Sequence, residues 1–277
     1  MTELQITKAS DLLQLHHSRK LLILPNIWDV SGARLLQQLG FPAIATASAS
    51  VAFSNGYADG EQIPFPDLLN LLSKIASSSS LPVTADIESG YAADLGELKK
   101  NIQSLLHTGI AGINFEDSAK NYGLVELDLQ CERIRAIRSV AEREGIHLVI
   151  NARTDVFIQP TFDGNRLEEA VRREAAYKDA GADCFYPILC GMEDLKKLNE
   201  EIDLPINVLL KKNTLPLLEL EQLGIARVSL GPLFFNAAFS RMRSVANNLL
   251  DYQSTGIFEE DLFTNEEIGA ITRVFPG

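Results

Sequence analysis

The stretch ADIESGY, residues 85 to 91, places two carboxylates, Asp86 and Glu88, at the end of an apolar run, LPVTADIE, that reads as a buried strand. Alternate residues of a strand share a face, so this spacing predicts two acidic side chains lying together at one end of the element. Like charges held that close repel each other, and the pattern asks for something that offsets them. Two further apolar runs end the same way. GINFED (112 to 117) closes with Glu116 and Asp117, and LVINARTD (148 to 155) carries Asn151, Arg153 and Asp155. If the three runs are neighbouring strands about 4.8 Å apart, Asp86, Glu88 and Glu116 converge on one volume. Three carboxylates in one pocket predict a divalent cation, and oxygen ligands without His or Cys favour Mg2+ or Mn2+ over zinc. The competing reading of a single strand-end carboxylate is a helix cap or a surface residue, and it stands open for Asp117 and Asp155. Without a ligand, however, the joint pattern would need several buried ion pairs, which are costly to desolvate.

The elements that must position these residues show as apolar runs alternating with amphipathic ones. Candidate strands are 21 to 27 (LLILPNI), 43 to 48 (AIATAS), 82 to 88 (PVTADIE), 112 to 117, 148 to 155, 184 to 189 (CFYPIL), 206 to 210 (INVLL) and 227 to 231 (RVSLG). Between them lie helical patterns such as SGARLLQQLG, DLLNLLSKIASS, ELKKNIQSLLHTG, QCERIRAIRSVAEREG and RLEEAVRREAAYKDAG, with Gly commonly marking the exit. Strands alternating with helices imply a parallel sheet. Eight such units fit the closed (β/α)8 TIM barrel, typically about 250 residues long. An open doubly wound sheet is the alternative, but the turn after the first strand, PNIWDVSGAR, has no GxGxxG. No linker divides the chain, so one barrel domain is expected over 1 to 277, with the barrel itself at about 20 to 250. An extra helix is expected before the first strand, in ASDLLQLHHS, and an extension from about residue 254. In such a barrel the strand-end acids and Arg153 share one address, the C-terminal face where active sites sit.

Composition narrows the partners. The net charge of −12 disfavours nucleic acid and anionic membrane, both of which need a basic footprint, so a small-molecule partner is expected. Cys131, Cys184 and Cys190 lack CxxC spacing, which argues against zinc or a disulfide scaffold. No signal-like leader or membrane-length apolar run is apparent, so the cytoplasm is the expected compartment. His16, His17, His107 and His147 fall before or between strands, away from the strand ends, and a histidine base is not expected.

The ordered motifs ADIESGY, GINFEDS and INARTD resemble the isocitrate lyase and phosphoenolpyruvate mutase superfamily, especially its short phosphonomutase-like (oxaloacetate decarboxylase-like) branch. The likeness runs from PNIWD at the first strand to RVSLGPL at the eighth. It implies that Asp86 holds Mg2+ directly, that Glu88 and Glu116 reach the ion directly or through water, and that Asp59 in GYAD completes the shell. It places Ser48 and Ala49, in TASAS, where backbone and hydroxyl donors hold a substrate carboxylate. Arg153 matches the arginine that meets substrate negative charge, and Asn207 a polar residue of the seventh strand. Trp28 lies near an aromatic wall, with ordinary core packing as the equal alternative. The resemblance also implies a helix exchanged between subunits, in GPLFFNAAFSRMRSVANNLLDY, hence a homodimer or a homotetramer.

This chain departs from the family in one loop. Isocitrate and methylisocitrate lyases carry a KKCGH loop after the fourth strand, whereas the corresponding EDSAKNYGLVEL has neither Cys nor His. Ser118, Lys120 and Tyr122 are the only candidate proton donors there, and the competing reading of Lys120 is a solvated loop residue. The implied activity is Mg2+-dependent cleavage of an oxaloacetate-like 2-oxo acid through an enolate. Phosphonate P–C chemistry is the alternative, as is a metal-dependent 2-oxo acid binding protein with little turnover.

Overall fold

Strands connected through helices pair in parallel, and their outer faces are apolar because the helices cover them. The computed structural model describes residues 1–118, 123–251 and 262–272. Its strands are β1 (Leu22–Leu24), β2 (Asn26–Ile27), β3 (Ile44–Thr46), β4 (Val83–Asp86), β5 (Gly112–Glu116), β6 (Val149–Thr154), β7 (Cys184–Pro187), β8 (Asn207–Leu209) and β9 (Arg227–Ser229). β2 to β7 pair in sequence order, and β1, β9 and β8 form a second group. A parallel bridge from Phe185 to Ile206 joins β7 to β8, and β1 continues into β2 through Pro25, so the ring closes. The expected first strand is therefore one barrel stave in two pieces. Pro25 has no N–H to give a ladder, although its carbonyl still accepts from the Ala45 amide.

The helices start and stop where their caps lie. α1 (Glu3–His16) begins earlier than the apolar pattern implies because the Thr2 hydroxyl accepts from the Gln5 amide. It lies against the strand beginnings: Gln5 Nε2 donates to the Leu106 and Ile110 carbonyls, and Leu12 comes so near Gly112 that a Cβ there would meet it at 2.9 Å. α2 (Val30–Gln38) and α5 (Leu95–Leu106) are capped by Asp29 and Asp94, and α7 (Arg166–Ala180) by Asn165, with Gly181 left-handed at its exit. α3 (Ser48–Ser54), α4 (Phe65–Ser78), α6 (Leu127–Arg143), α8 (Met192–Glu201), α9 (Leu217–Gln222) and α10 (Leu233–Leu250) complete the outer layer. α11 (Asn265–Thr272) packs against α2, where Arg34 donates to the Ile271 and Thr272 carbonyls. No described helix is long and apolar enough to cross a membrane.

The helices seal the barrel with two apolar clusters, a larger one that includes Leu36, Leu72, Ile102, Ile134 and Leu198 and a smaller one against β8 and β9 that includes Leu195, Val208, Leu220 and Val228. Inside the staves the residue types change. Asn26, Thr84, Asn114, Asn151, Asn207, Arg227 and Ser229 are all buried, where such barrels ordinarily pack Val, Ile and Leu.

Candidate active site

Asp86 ends β4, and its carboxylate is fixed from two sides. Oδ2 accepts from the Ser48 amide at 3.1 Å, at the start of α3, and Oδ1 accepts from Asn114 Nδ2 at 3.0 Å on the neighbouring strand. Asn114 is itself held by Asn151 Nδ2 at 2.8 Å, so the chain of amides crosses three staves. Each Asp86 oxygen keeps lone pairs for a further partner.

Glu88 departs from the strand-face expectation. β4 ends at Asp86, and Glu88 sits beyond it with φ +52°, a left-handed backbone uncommon for a residue with a side chain. The bend carries its carboxylate to the Glu61 amide, which donates at 2.9 Å to both oxygens, while the Tyr91 hydroxyl donates at 3.3 Å. Burial, then the charge of Asp86, pushes the Glu88 pKa up to about 8. Asp59 stands at the exposed rim, and its pKa is raised first by the protein packed around it and then by Asp86. Burial also lifts Glu116 well above the usual carboxylate range, against the pull of Arg153.

Arg153 is half-buried and doubly paired, to Glu116 Oε2 at 2.6 Å and to Asp155 through two hydrogen bonds at 2.6 and 3.0 Å. Burial works against its charge, but Glu116 and Asp155 carry the pKa above the ordinary arginine value. Asp155 also accepts from the Ser118 hydroxyl. Asp117 points the other way and serves the framework. It is fully buried and accepts from Thr154, the Asp155 amide, Arg173 and Tyr177.

A cavity of about 240 Å³ is lined by Ser48, Ala49, Asp59, Asp86 and Arg153, which the sequence singled out, together with Asn26, Asn114, Tyr186, Arg227 and Ser229, which it did not. A second cavity, about 580 Å³, shares Asp59 and is lined by Glu88, Glu116, Ser118 and Asp155. Two expected residues stand apart from these linings. Trp28 packs edge-on against Phe235, with ring centroids 5.3 Å apart, so its core alternative describes its contact. Asn207 lies within the barrel, accepting from Ser229, one turn of the pleat below Leu209, which does line the first cavity. Lys120 and Tyr122 lie outside the described residues. Cys184 and Cys190 are buried, and burial raises both thiols to about 12, so neither supplies a thiolate near neutral pH.

Among the described residues, no three His, Cys, Asp or Glu side chains form a ready cage for an ion. The donor set suits a cation that keeps part of its water shell, as Mg2+ does, bound by one or two carboxylates. Asp86 is the fixed carboxylate with free lone pairs. Asp59, Glu88 and Glu116 surround it as mutually repelling acids with raised affinity for protons. A nearby positive charge would relieve all three.

Strand-end acids and an arginine at the mouth of a closed parallel barrel stand where the active sites of (β/α)8-barrel enzymes lie. Comparison with known proteins narrows the class. The family model for phosphoenolpyruvate phosphomutase matches residues 12–250, and the chain belongs to this family, within the isocitrate lyase and phosphoenolpyruvate mutase superfamily. It is 31% identical over 239 residues to an uncharacterized protein of Mycobacterium tuberculosis, covering 86% of this chain and 88% of that one. It is 27% identical to a Bacillus subtilis 2-methylisocitrate lyase over 68% of this chain and 64% of the relative. A Burkholderia cenocepacia structure described as a candidate phosphonomutase superposes with a TM-score of 0.83 at 34% identity, covering 88% of this chain and 99% of the other.

Proposed function

We propose that this protein is a Mg2+-dependent lyase, of decarboxylase or hydrolase type, acting on a small oxaloacetate-like 2-oxo acid through an enolate. The observation that carries the reading is Asp86, whose carboxylate is held rigid by the Ser48 amide and Asn114 on the wall of a cavity that also presents Arg153. When bound, Mg2+ or Mn2+ would supply Lewis-acid stabilisation of the oxygen on which charge develops. Asp86 would hold the ion directly, with Asp59, Glu88 and Glu116 orienting its waters. Ser48 and Ala49 offer donors at the start of α3 to one substrate carboxylate. Arg153, locked by Glu116 and Asp155, is a preorganised positive charge near the developing enolate.

A phosphonomutase activity is the second reading, favoured by the likeness to the Burkholderia structure. A 2-oxo acid binding protein with little turnover is the third, and it gains from the absence of Cys and His in the loop after Glu116. General acid catalysis typically contributes about 10²- to 10⁴-fold. Lacking a thiol in that loop, the protein is expected to release no glyoxylate from isocitrate and negligible pyruvate from 2-methylisocitrate, and to form pyruvate or oxalate from oxaloacetate above the metal-only background. Coupled assays decide among the readings. Robust glyoxylate release from isocitrate would overturn the proposed chemistry, and conversion of phosphonopyruvate alone would favour the second reading.

A further inference from the structure

Arg227 is 2% exposed, yet it lines the same cavity as Asp86 and Arg153. Buried charges are ordinarily paired. Among the described residues Arg227 takes part in no ion pair. Nε donates to Ser229 Oγ at 3.2 Å, and Nη1 lies 3.4 Å from His16 Nε2. His16 Nδ1 is 2.7 Å from the Leu12 carbonyl, which requires the ring proton on Nδ1 and leaves Nε2 as an acceptor. Burial, and then Arg227, lowers the His16 pKa to about 4, so α1 orients the guanidinium without neutralising it. A guanidinium has five N–H donors, and these two contacts use only part of the fork.

The surroundings match that surplus. Thr84 Oγ1, on the cavity wall, and Asn207 Nδ2, which lies beside Ser229, are buried without a partner. Arg153 is already balanced by Glu116 and Asp155, whereas Arg227 feels the charge of Asp86 but is held in an ion pair with no carboxylate among the described residues. We propose that Arg227 is a specificity-determining residue, and that it receives the second carboxylate of a 2-oxo dicarboxylate whose first carboxylate lies at the Asp86 and Ser48 end. The inference rests on the proposed function and names its substrate class: dicarboxylates over monocarboxylates of the same length.

The test uses the full chain with Mg2+ and three inert probes in isothermal titration. Oxalate reports the Asp86 end alone. Malate and 2-hydroxybutyrate have the same chain length and chelating head, and differ in a distal carboxylate against a methyl group. Hydrogen bonds to charged groups predict that the wild-type protein binds malate at least about 10-fold more tightly than 2-hydroxybutyrate. In Arg227→Met that ratio should fall to within about twofold while oxalate affinity is kept, and Arg227→Lys should retain part of it. Equal wild-type affinities for malate and 2-hydroxybutyrate would overturn the subsite, and this comparison needs no variant to fold. A parallel loss of oxalate and malate in a folded Arg227→Met would also overturn it, as a purely structural role requires. If the wild-type protein does not bind oxalate with Mg2+ at all, it is the underlying functional reading that fails.

Discussion

Replacing Glu88 with Gln should stabilise the metal-free protein, and increasingly so as the pH rises. Glu88 is 6% exposed, and burial together with the Asp86 charge moves its pKa from the ordinary 4.5 to about 8 in the folded chain. Between those values the folded state holds a proton that the unfolded state has lost, so stability falls with rising pH across that window. The penalty is absent below about pH 4.5, grows through the window, and is complete above about pH 8. At 1.36 kcal/mol for each tenfold change in acidity, the gap corresponds to about 5 kcal/mol at full ionisation. Gln has no charge to desolvate and can still accept from the Glu61 amide. The left-handed backbone at residue 88 is common to both proteins, so its strain cancels. In EDTA, the variant should exceed the wild type by under about 1 kcal/mol at pH 5 and by up to about 5 kcal/mol at pH 9, roughly 10 °C or more in Tm. Adding Mg2+ at pH 9 should close most of that gap, because a cation near Asp86 offsets the same charge. Parallel melting profiles for the two proteins from pH 5 to 9 would refute the argument.

Other outcomes follow from the same geometry. Asp86→Ala should remove measurable Mg2+-oxalate binding by calorimetry and lower metal-dependent turnover by at least about 10²-fold, with the melting temperature little changed. Asp117→Asn should cost about 3 kcal/mol in urea denaturation, since it leaves the buried Arg173 without its full counter-charge, while oxalate binding by the folded protein persists. Assembly is expected through α10, where Phe235 is the only buried residue and Leu233, Phe239, Met242, Leu249 and Leu250 are exposed. Sedimentation at micromolar concentration should show a dimer or a tetramer, and a monomer would refute an exchanged helix.

The staves were legible because a buried parallel strand is an apolar run bounded by helical periodicity, and each of the eight runs contains a strand. The acids at their ends were legible because a charged residue closing such a run has few structural uses. What failed was the backbone beyond Asp86: a left-handed residue other than Gly or Asn leaves no signature in composition, and so the side-by-side picture of Asp86 and Glu88 was wrong in its geometry. Asn114 and Arg227 were missed although the period of two would have found them. Each lies two residues before the last residue of its strand, Glu116 and Ser229, and so faces the same interior. Trp28 could not be placed, since an aromatic beside the first strand serves a cavity wall and a helix contact equally well, and the difference lay in Phe235, more than 200 positions away.

The polar interior explains how the barrel holds one rigid carboxylate. A buried amide is costly unless bonded, so Asn151, Asn114 and Asp86 form a rail across three staves, each orienting the next. The Ser48 amide at the start of α3 fixes the remaining Asp86 oxygen. Position is therefore set by strands and by the first residue of a helix, the parts of the fold least able to shift. Glu61 and Asp59, by contrast, come from the connection between α3 and α4, where substitution is tolerated more easily. That division lets the loops change which acid is admitted while the strands keep the Asp86 carboxylate where it is. Asn114→Ala should expose the dependence: the rail is cut at its middle, Asp86 gains freedom, and Mg2+-oxalate affinity falls although every carboxylate is still present. Unchanged affinity in a folded Asn114→Ala protein would show that the rail serves packing alone.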